Sequence, residues 1–267
     1  MATRIMLLMV ALLSSAAGFG FSRRGHGHAP PQCADPSLCV RTVRHNGARY
    51  TVAQINTLQH PVLLFAPSGG VTLEETQRAL EKRGQGMVLG MNAGMYEPDF
   101  SMAGLAVEDG VLRKALNQRR AGGNFYTRPN GVFFVDAHGP HVLTTQAFAT
   151  RGLDGVQTAT QSGPMLLLPS DDAGGTPTIH PRLNPGSTSV HTRNAVGVFG
   201  SMVYLVISED EVNLHALAVM MRDQLDCQAA LYLDGTVSAL KAGAVELGGV
   251  ARRFGGVLYV PVGKPAR

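Results

Sequence analysis

The chain has few of the features that identify a mechanism on sight. Its 267 residues include three cysteines, with no CxxC, no HExxH and no second cysteine pair to complete a zinc tetrahedron. No GxSxG elbow marks an acyl-transfer serine, and the absence of GxxxxGK[ST] excludes a nucleotide P-loop. No dense acidic loop points to calcium. The sequence therefore suggests no cofactor, and it leaves metal dependence open. Charge of one sign is also scarce: 23 Lys and Arg stand against 19 Asp and Glu. The basic residues are scattered and form no stripe, which argues against a nucleic-acid partner. No repeat recurs at a fixed period.

Long apolar runs are missing too. The run from Ile5 to Leu13 is too short for a stable membrane span, and no later segment approaches about 18 apolar residues. With Arg4 before it and small residues after it, MATRIMLLMVALLSSAAGFG has the build of a secretory signal peptide over residues 1–20, cleaved around Ala16 to Ala17. An uncleaved signal anchor is the alternative. After signal removal the expected protein is periplasmic or secreted, with no membrane partner. Residues 21–40 read as a linker. Their RRGHGHAPP stretch fits that composition, with a stray metal on His26 and His28 as the other reading. Export permits oxidation, so Cys33 and Cys39 are expected to form a disulfide, leaving Cys227 as a small buried hydrophobe. Residues 41–267 are enough for one domain with its own core.

The local patterns predict few helices and many short strands. Thr72 and Glu75 form a capping box before LEETQRALEK, where Leu73, Thr76 and Leu80 share one side, and Gly84 and Gly86 end the helix. A second helix lies within SEDEVNLHALAVMMRDQL, begun by either Ser208 with Glu211 or by Asn213. Strands are expected at 87–91, 104–109, 130–136, 165–169, 195–200, 202–208, 229–233 and 257–261, with Gly200 and Ser201 marking a hairpin. Together with 32 glycines this predicts an α+β single domain, its sheet mixed but largely antiparallel, with long Gly-rich loops.

Four sites share one design, a short apolar strand that breaks into glycine and a small or charged polar residue: MNAGMY, QSGPML, HTRNAVG and LDGTVS. Loops held by a rigid sheet are where binding groups usually sit. Each site has a plain structural reading as well. Asn92 suits a turn, Ser162 an ST-turn, Arg193 a surface ion pair and Asp234 a cap. The carboxylates within plausible reach are Asp234, Glu97, Asp99 and Glu209. Arg193, with its planar fork, is the best anion ligand.

NAGMY, SGPML, RNAVG and SEDEVNLHALAVMMRDQLDCQAALYLDGTVSAL resemble the phosphodiester glycosidase family, in the same order over about residues 50–262. The resemblance implies release of a sugar from a sugar-phosphate diester, and its pattern falls on Asn92, Gly94, Ser162, Gly163, Arg193, Asp234, Gly235 and Ser238. Characterised eukaryotic members have a DGGGS-type end, whereas Thr236 and Val237 stand in its middle here, so their substrate is not carried over. In this reading Asp234 is the carboxylate beneath the sugar, and Arg193 holds the phosphate with backbone N–H groups at Gly94 and Gly163. Asn92 and Ser238 orient hydroxyls or phosphate oxygens, and Ser162, Gly235 and Glu209 complete the substrate-binding set. The expected partner is a small molecule or glycan carrying a sugar phosphate. The alternative is an exported glycan-binding protein that uses the same cleft without turnover.

Overall fold

Asn46 and Gly47 adopt positive φ, 47° and 83°, the pair of left-handed residues that closes a two-residue hairpin while matching the strand twist. They join β1 (Leu38–His45) to β2 (Ala48–Asn56) in one unbroken ladder. The strand begins inside the stretch expected as linker, because Cys39 and Val43 turn inward and are buried. The computed structural model describes residues 35–172, 174–234 and 237–263. The expected signal peptide, the Cys33 half of the expected bridge, and Gly235 lie outside the described residues.

After β3 (Leu63–Phe65), α1 (Leu73–Lys82) opens with the expected capping box. Thr72 Oγ1 accepts from the Glu75 amide, and the Glu75 carboxylate from the Thr72 amide, both at 3.0 Å. Then follow β4 (Met87–Asn92) and two hairpins, β5 (Ala106–Glu108) with β6 (Val111–Lys114) and β7 (Gly131–Asp136) with β8 (Gly139–Thr144). Helix α2 (Thr145–Arg151) leads to β9 (Thr158–Ser162), β10 (Met165–Leu168) and β11 (Thr178–Ile179). The Gly200 hairpin joins β12 (Asn194–Phe199) to β13 (Met202–Ser208). Of the two possible starts for α3 (Leu214–Leu225), Asn213 is the cap, accepting from the Ala216 amide at 2.8 Å, whereas Ser208 still belongs to β13. The chain closes through β14 (Ala229–Tyr232), β15 (Ala239–Ala242), β16 (Val245–Gly248) and β17 (Val257–Pro261).

These strands form three sheets, ordered β1-β2-β13-β12-β14-β10-β11, β16-β15-β4-β17-β3 and β6-β5-β9-β7-β8. Every pairing among them is antiparallel. Their inner faces share one core, in which Ile55, Leu205 and Leu231 of the first sheet meet Met91 and Leu258 of the second and Phe133 of the third. Each outer face carries a helix: α3 packs on Tyr204, Val206 and Tyr232, α1 on Val257 and Tyr259, and Phe148 of α2 on Val132 and Phe134. Strands covered on both sides have no polar face, which is why MVYLVIS and AALYL read as continuous apolar runs. The fold is the expected α+β class.

The three sheets are tied together where β4, β9, β12 and β14 meet. Asn194 Nδ2 donates to Asn92 Oδ1 at 2.9 Å and to the Asn92 carbonyl at 3.1 Å, joining the first sheet to the second. Ser162 Oγ donates to the Leu233 carbonyl at 2.6 Å, joining the third to the first. The Gly94 amide donates to Thr160 Oγ1 at 3.2 Å, joining the second to the third.

Candidate active site

Strand register brings the strongest carboxylate and anion-ligand candidates to one place. β12 and β14 pair with Ala195 opposite Tyr232 and Val196 opposite Leu231, and the Leu233 amide still donates to the Asn194 carbonyl at 3.2 Å. One step beyond, the facing positions are Arg193 and Asp234. Residues two apart on a strand share a face, so both continue the α3-covered side that carries Ala195 and Tyr232. There they line one cleft of about 380 Å³ with Tyr232, His191, Ser189 and Asn124.

Arg193 is only 2% exposed. Its Nε donates to the Val212 carbonyl at 3.0 Å, Nη1 to the Tyr232 hydroxyl at 2.8 Å, and Nη2 to the Ser189 carbonyl at 2.8 Å and Ser189 Oγ at 3.2 Å. Four of the five guanidinium donors are thereby directed to protein groups, leaving one on Nη1. All four acceptors are neutral, so the positive charge itself is presented to the cleft.

Tyr232 completes this pair. Burial, reinforced by the charge on Asp234 and opposed by Arg193, pushes its phenol up to about 12. It stays protonated at neutral pH, and because its oxygen accepts from Arg193, its own proton is available to an acceptor in the cleft. The negative charge of Asp234 also reaches Tyr96, whose pKa is raised first by burial and then by that carboxylate.

Asp234 is 7% exposed. Its amide donates to Asn194 Oδ1 at 2.9 Å, and its carbonyl accepts from Ser238 Oγ at 3.1 Å. Asn194, fully buried, thus holds Asp234 with its oxygen and Asn92 with its nitrogen. Asn92 Oδ1 accepts a second bond from the Ala239 amide at 2.8 Å, while Asn92 Nδ2 is buried with no hydrogen-bond partner among the described residues.

The other sequence candidates take supporting positions or lie elsewhere. Ser162 is fully buried, its hydroxyl committed to Leu233. At Gly94 a Cβ would collide with the Gln161 carbonyl, and at Gly163 it would sit 2.6 Å from Asn130 Cβ. Both glycines therefore allow close packing of chain on chain, and the Gly94 N–H is used by Thr160. Ser238 reaches the Thr192 carbonyl at 3.2 Å as well as Asp234. Glu209 accepts from Thr51 Oγ1 at 2.9 Å and pairs with Arg49 at 3.6 Å, and it is not among the cleft-lining residues.

Sequence reasoning missed His191, Tyr232 and Asn194. His191 and Tyr232 precede Arg193 and Asp234 by two positions, the spacing that shares a face, and Asn194 lies inside the quoted RNAVG. Asn124 and Ser189 sit in loops with no comparable signal. Among the described residues, no group of three or more His, Cys, Asp or Glu could hold a metal ion, and no helix is long and apolar enough to cross a membrane. Cys227 is a buried free thiol, its pKa pushed up by burial.

A sequence model of the phosphodiester glycosidase family matches residues 85–254. The uncharacterized protein YigE of Escherichia coli (strain K12) is 37% identical over 166 residues, which make up 60% of this chain and 61% of that protein. The chain thus spans less than two thirds of that relative's length. A solved structure of the zebrafish N-acetylglucosamine-1-phosphodiester alpha-N-acetylglucosaminidase catalytic domain, auto-inhibited by its pro-peptide, superposes with a TM-score of 0.55 at 14% identity, covering 87% of this chain and 86% of that one. A hypothetical protein from Synechocystis gives 0.51 at 15% identity, covering 84% and 62%. At these identities the structural likeness is one of fold.

Proposed function

The chain belongs to the phosphodiester glycosidase family, and on that premise we propose that it is an exported hydrolase that releases a sugar from a sugar-phosphate diester. The observation that carries this reading is the convergence of Asp234, Arg193 and the Tyr232 hydroxyl on one cleft. Cleaving the bond from the anomeric carbon to the phosphate oxygen builds positive charge on the sugar and negative charge on the leaving group. Asp234 stabilises the first. Arg193, through its charge and remaining N–H, and Tyr232, through its O–H, stabilise the second.

The bonding electron pair leaves on the phosphate oxygen, and the resulting monoester anion needs no proton. One carboxylate therefore serves where an ordinary glycoside requires a second, protonated one. Water then adds to the anomeric carbon and gives its proton to the His191 imidazole on the cleft wall. Asn92, Asn194, Ser162 and Ser238 hold the strand ends that carry these groups. The signal-like first 20 residues support export, and an oxidising compartment would favour the Cys33–Cys39 bridge.

The test is turnover of sugar-phosphate diesters and neutral aryl glycosides by the purified mature protein, and by Asp234→Asn. That variant keeps shape and removes charge, so activity should fall by about 100-fold or more at an unchanged melting temperature. Near-parental activity would return Asp234 to the role of a turn cap. Saturable glycan binding without product would favour the non-catalytic reading.

A further inference from the structure

A second cavity, of about 570 Å³, shares no lining residue with the cleft. Its walls include Gln118, Arg120, Arg128, Asn130, Thr144 and Gln146, with no carboxylate among the lining residues. Neither arginine makes an ion pair among the described residues. Arg128 is held in place: Nη2 donates to the Gln118 carbonyl at 2.6 Å and the Arg119 carbonyl at 3.3 Å, while Nε is buried with no hydrogen-bond partner among the described residues. Carbonyls fix a guanidinium without neutralising it, so the cavity retains two uncompensated positive charges. Phosphate or carboxylate is the ligand chemistry that compensates them.

The cavity is also built in advance. Gln161 Nε2 donates to the Asn117 carbonyl at 2.8 Å and to Thr145 Oγ1 at 3.1 Å, and Gln161 Oε1 accepts from the Asn117 amide at 2.9 Å. One buried side chain of β9 thereby fixes both the loop that bears Gln118 and the start of α2. Arg128 stands four residues from Asn124, which lines the catalytic cleft. Four residues of chain span at most about 14 Å, so these two wall residues lie within the length of a few sugar units of each other.

We propose that this cavity is an accessory subsite for a phosphate- or carboxylate-bearing sugar unit, and that the substrate is a multi-unit anionic glycan. The proposal rests on the catalytic reading above for the word substrate, and on the cavity's charge for the binding. The amides of Gln118 and Gln146 suit the hydroxyls of such a unit.

The experiment compares an oligomer of sugars joined through phosphodiesters with a single-unit diester that has the same scissile bond. Arg120, exposed and with no side-chain hydrogen bond among the described residues, is replaced by Gln, and Arg128 by Lys. Each variant should lose about tenfold in kcat/KM on the oligomer, chiefly through KM. Each should stay within about twofold of the parent on the single unit. Equal losses on both substrates, or none on the oligomer with Arg120→Gln, overturn the proposal. Calorimetric binding of the oligomer to Asp234→Asn protein, with and without Arg120→Gln, separates the two readings. If the parent cleaves neither substrate, the catalytic reading fails, while an Arg120-dependent loss of oligomer affinity still supports the subsite and an unchanged affinity overturns it.

Discussion

Arg193 Nη1 donates to the Tyr232 hydroxyl at 2.8 Å, and the guanidinium carbon lies 5.3 Å from the centroid of the same ring. The arginine fixes where the phenol oxygen sits and, by occupying its acceptor, directs the phenol proton elsewhere. Tyr232→Phe keeps the ring and removes that oxygen, which leaves a buried charged donor unpaired. We expect a stability loss of about 1–3 kcal/mol and a fall of about 10-fold or more in turnover of sugar-phosphate diesters. Denaturant melts and kcat values measure both. Unchanged turnover would remove the phenol from the chemistry.

Arg193→Lys separates charge from shape. Lysine keeps the cation but cannot reach Val212, Ser189 and Tyr232 together, as the planar fork does. Diesters should suffer at least about tenfold more than neutral aryl glycosides, since only the diesters present a phosphate. Equal losses on both substrates would mean that Arg193 acts through the fold alone.

The parts of the fold that were legible in the sequence are those whose signals are local. The Thr72–Glu75 capping box, the Gly200 hairpin and the apolar face of α3 each depend on residues within one turn or one strand. The β1–β2 hairpin was missed although Asn46–Gly47 marks its turn, because arginines at 41, 44 and 49 blur the alternation expected of a half-buried strand. Strands β15 and β16 are too short, and β16 too exposed, to show a pattern. At the site, Asp234, Arg193 and Asn92 stood out because each ends or begins a buried strand. What joins them, Asn194 and the cross-strand register of β12 and β14, is tertiary and has no trace in the composition. Asn124 reaches the cleft from a loop far away in the chain, and Ser189 from the irregular segment just before β12, neither of which carries a periodic pattern.

His180 predicts a pH dependence of stability. It is fully buried, its Nδ1 accepts from the Arg182 amide at 3.1 Å, and its Nε2 has no hydrogen-bond partner among the described residues. Burial holds its pKa below the ordinary 6.5, outweighing the opposing pull of the Arg128 backbone, and the charge of Arg182 adds a smaller push in the same direction as burial. The unfolded chain therefore takes up a proton that the native state refuses, so the contribution is fully present above pH 6.5 and lost as pH falls below it. Melting temperatures should decline from about pH 6.5 toward about pH 5, with a shallower slope in His180→Gln. Identical slopes would assign the acid sensitivity to other groups.

Asn194 is the residue through which the fold positions the chemistry. Its oxygen receives the Asp234 amide at 2.9 Å, and its nitrogen reaches Asn92 Oδ1 at 2.9 Å, so one side chain sets the strand end bearing the carboxylate against the neighbouring sheet. Asn194→Ala leaves both partners short of a bond and should cost about 1–3 kcal/mol of stability. Because a displaced Asp234 is felt most in the transition state, kcat should fall about 10–100-fold while KM changes little. Stability and rate losses alone would not separate positioning from structural support. Asn194→Asp does: the new carboxylate can still accept from the Asp234 amide, but it cannot donate to Asn92, and it places a like charge beside Asp234. That charge disfavours the ionised form of Asp234, so the acid limb of the pH–rate profile should move to higher pH in Asn194→Asp and stay in place in Asn194→Ala. An unmoved limb with near-parental turnover in Asn194→Asp would reduce Asn194 to a fastener between two sheets.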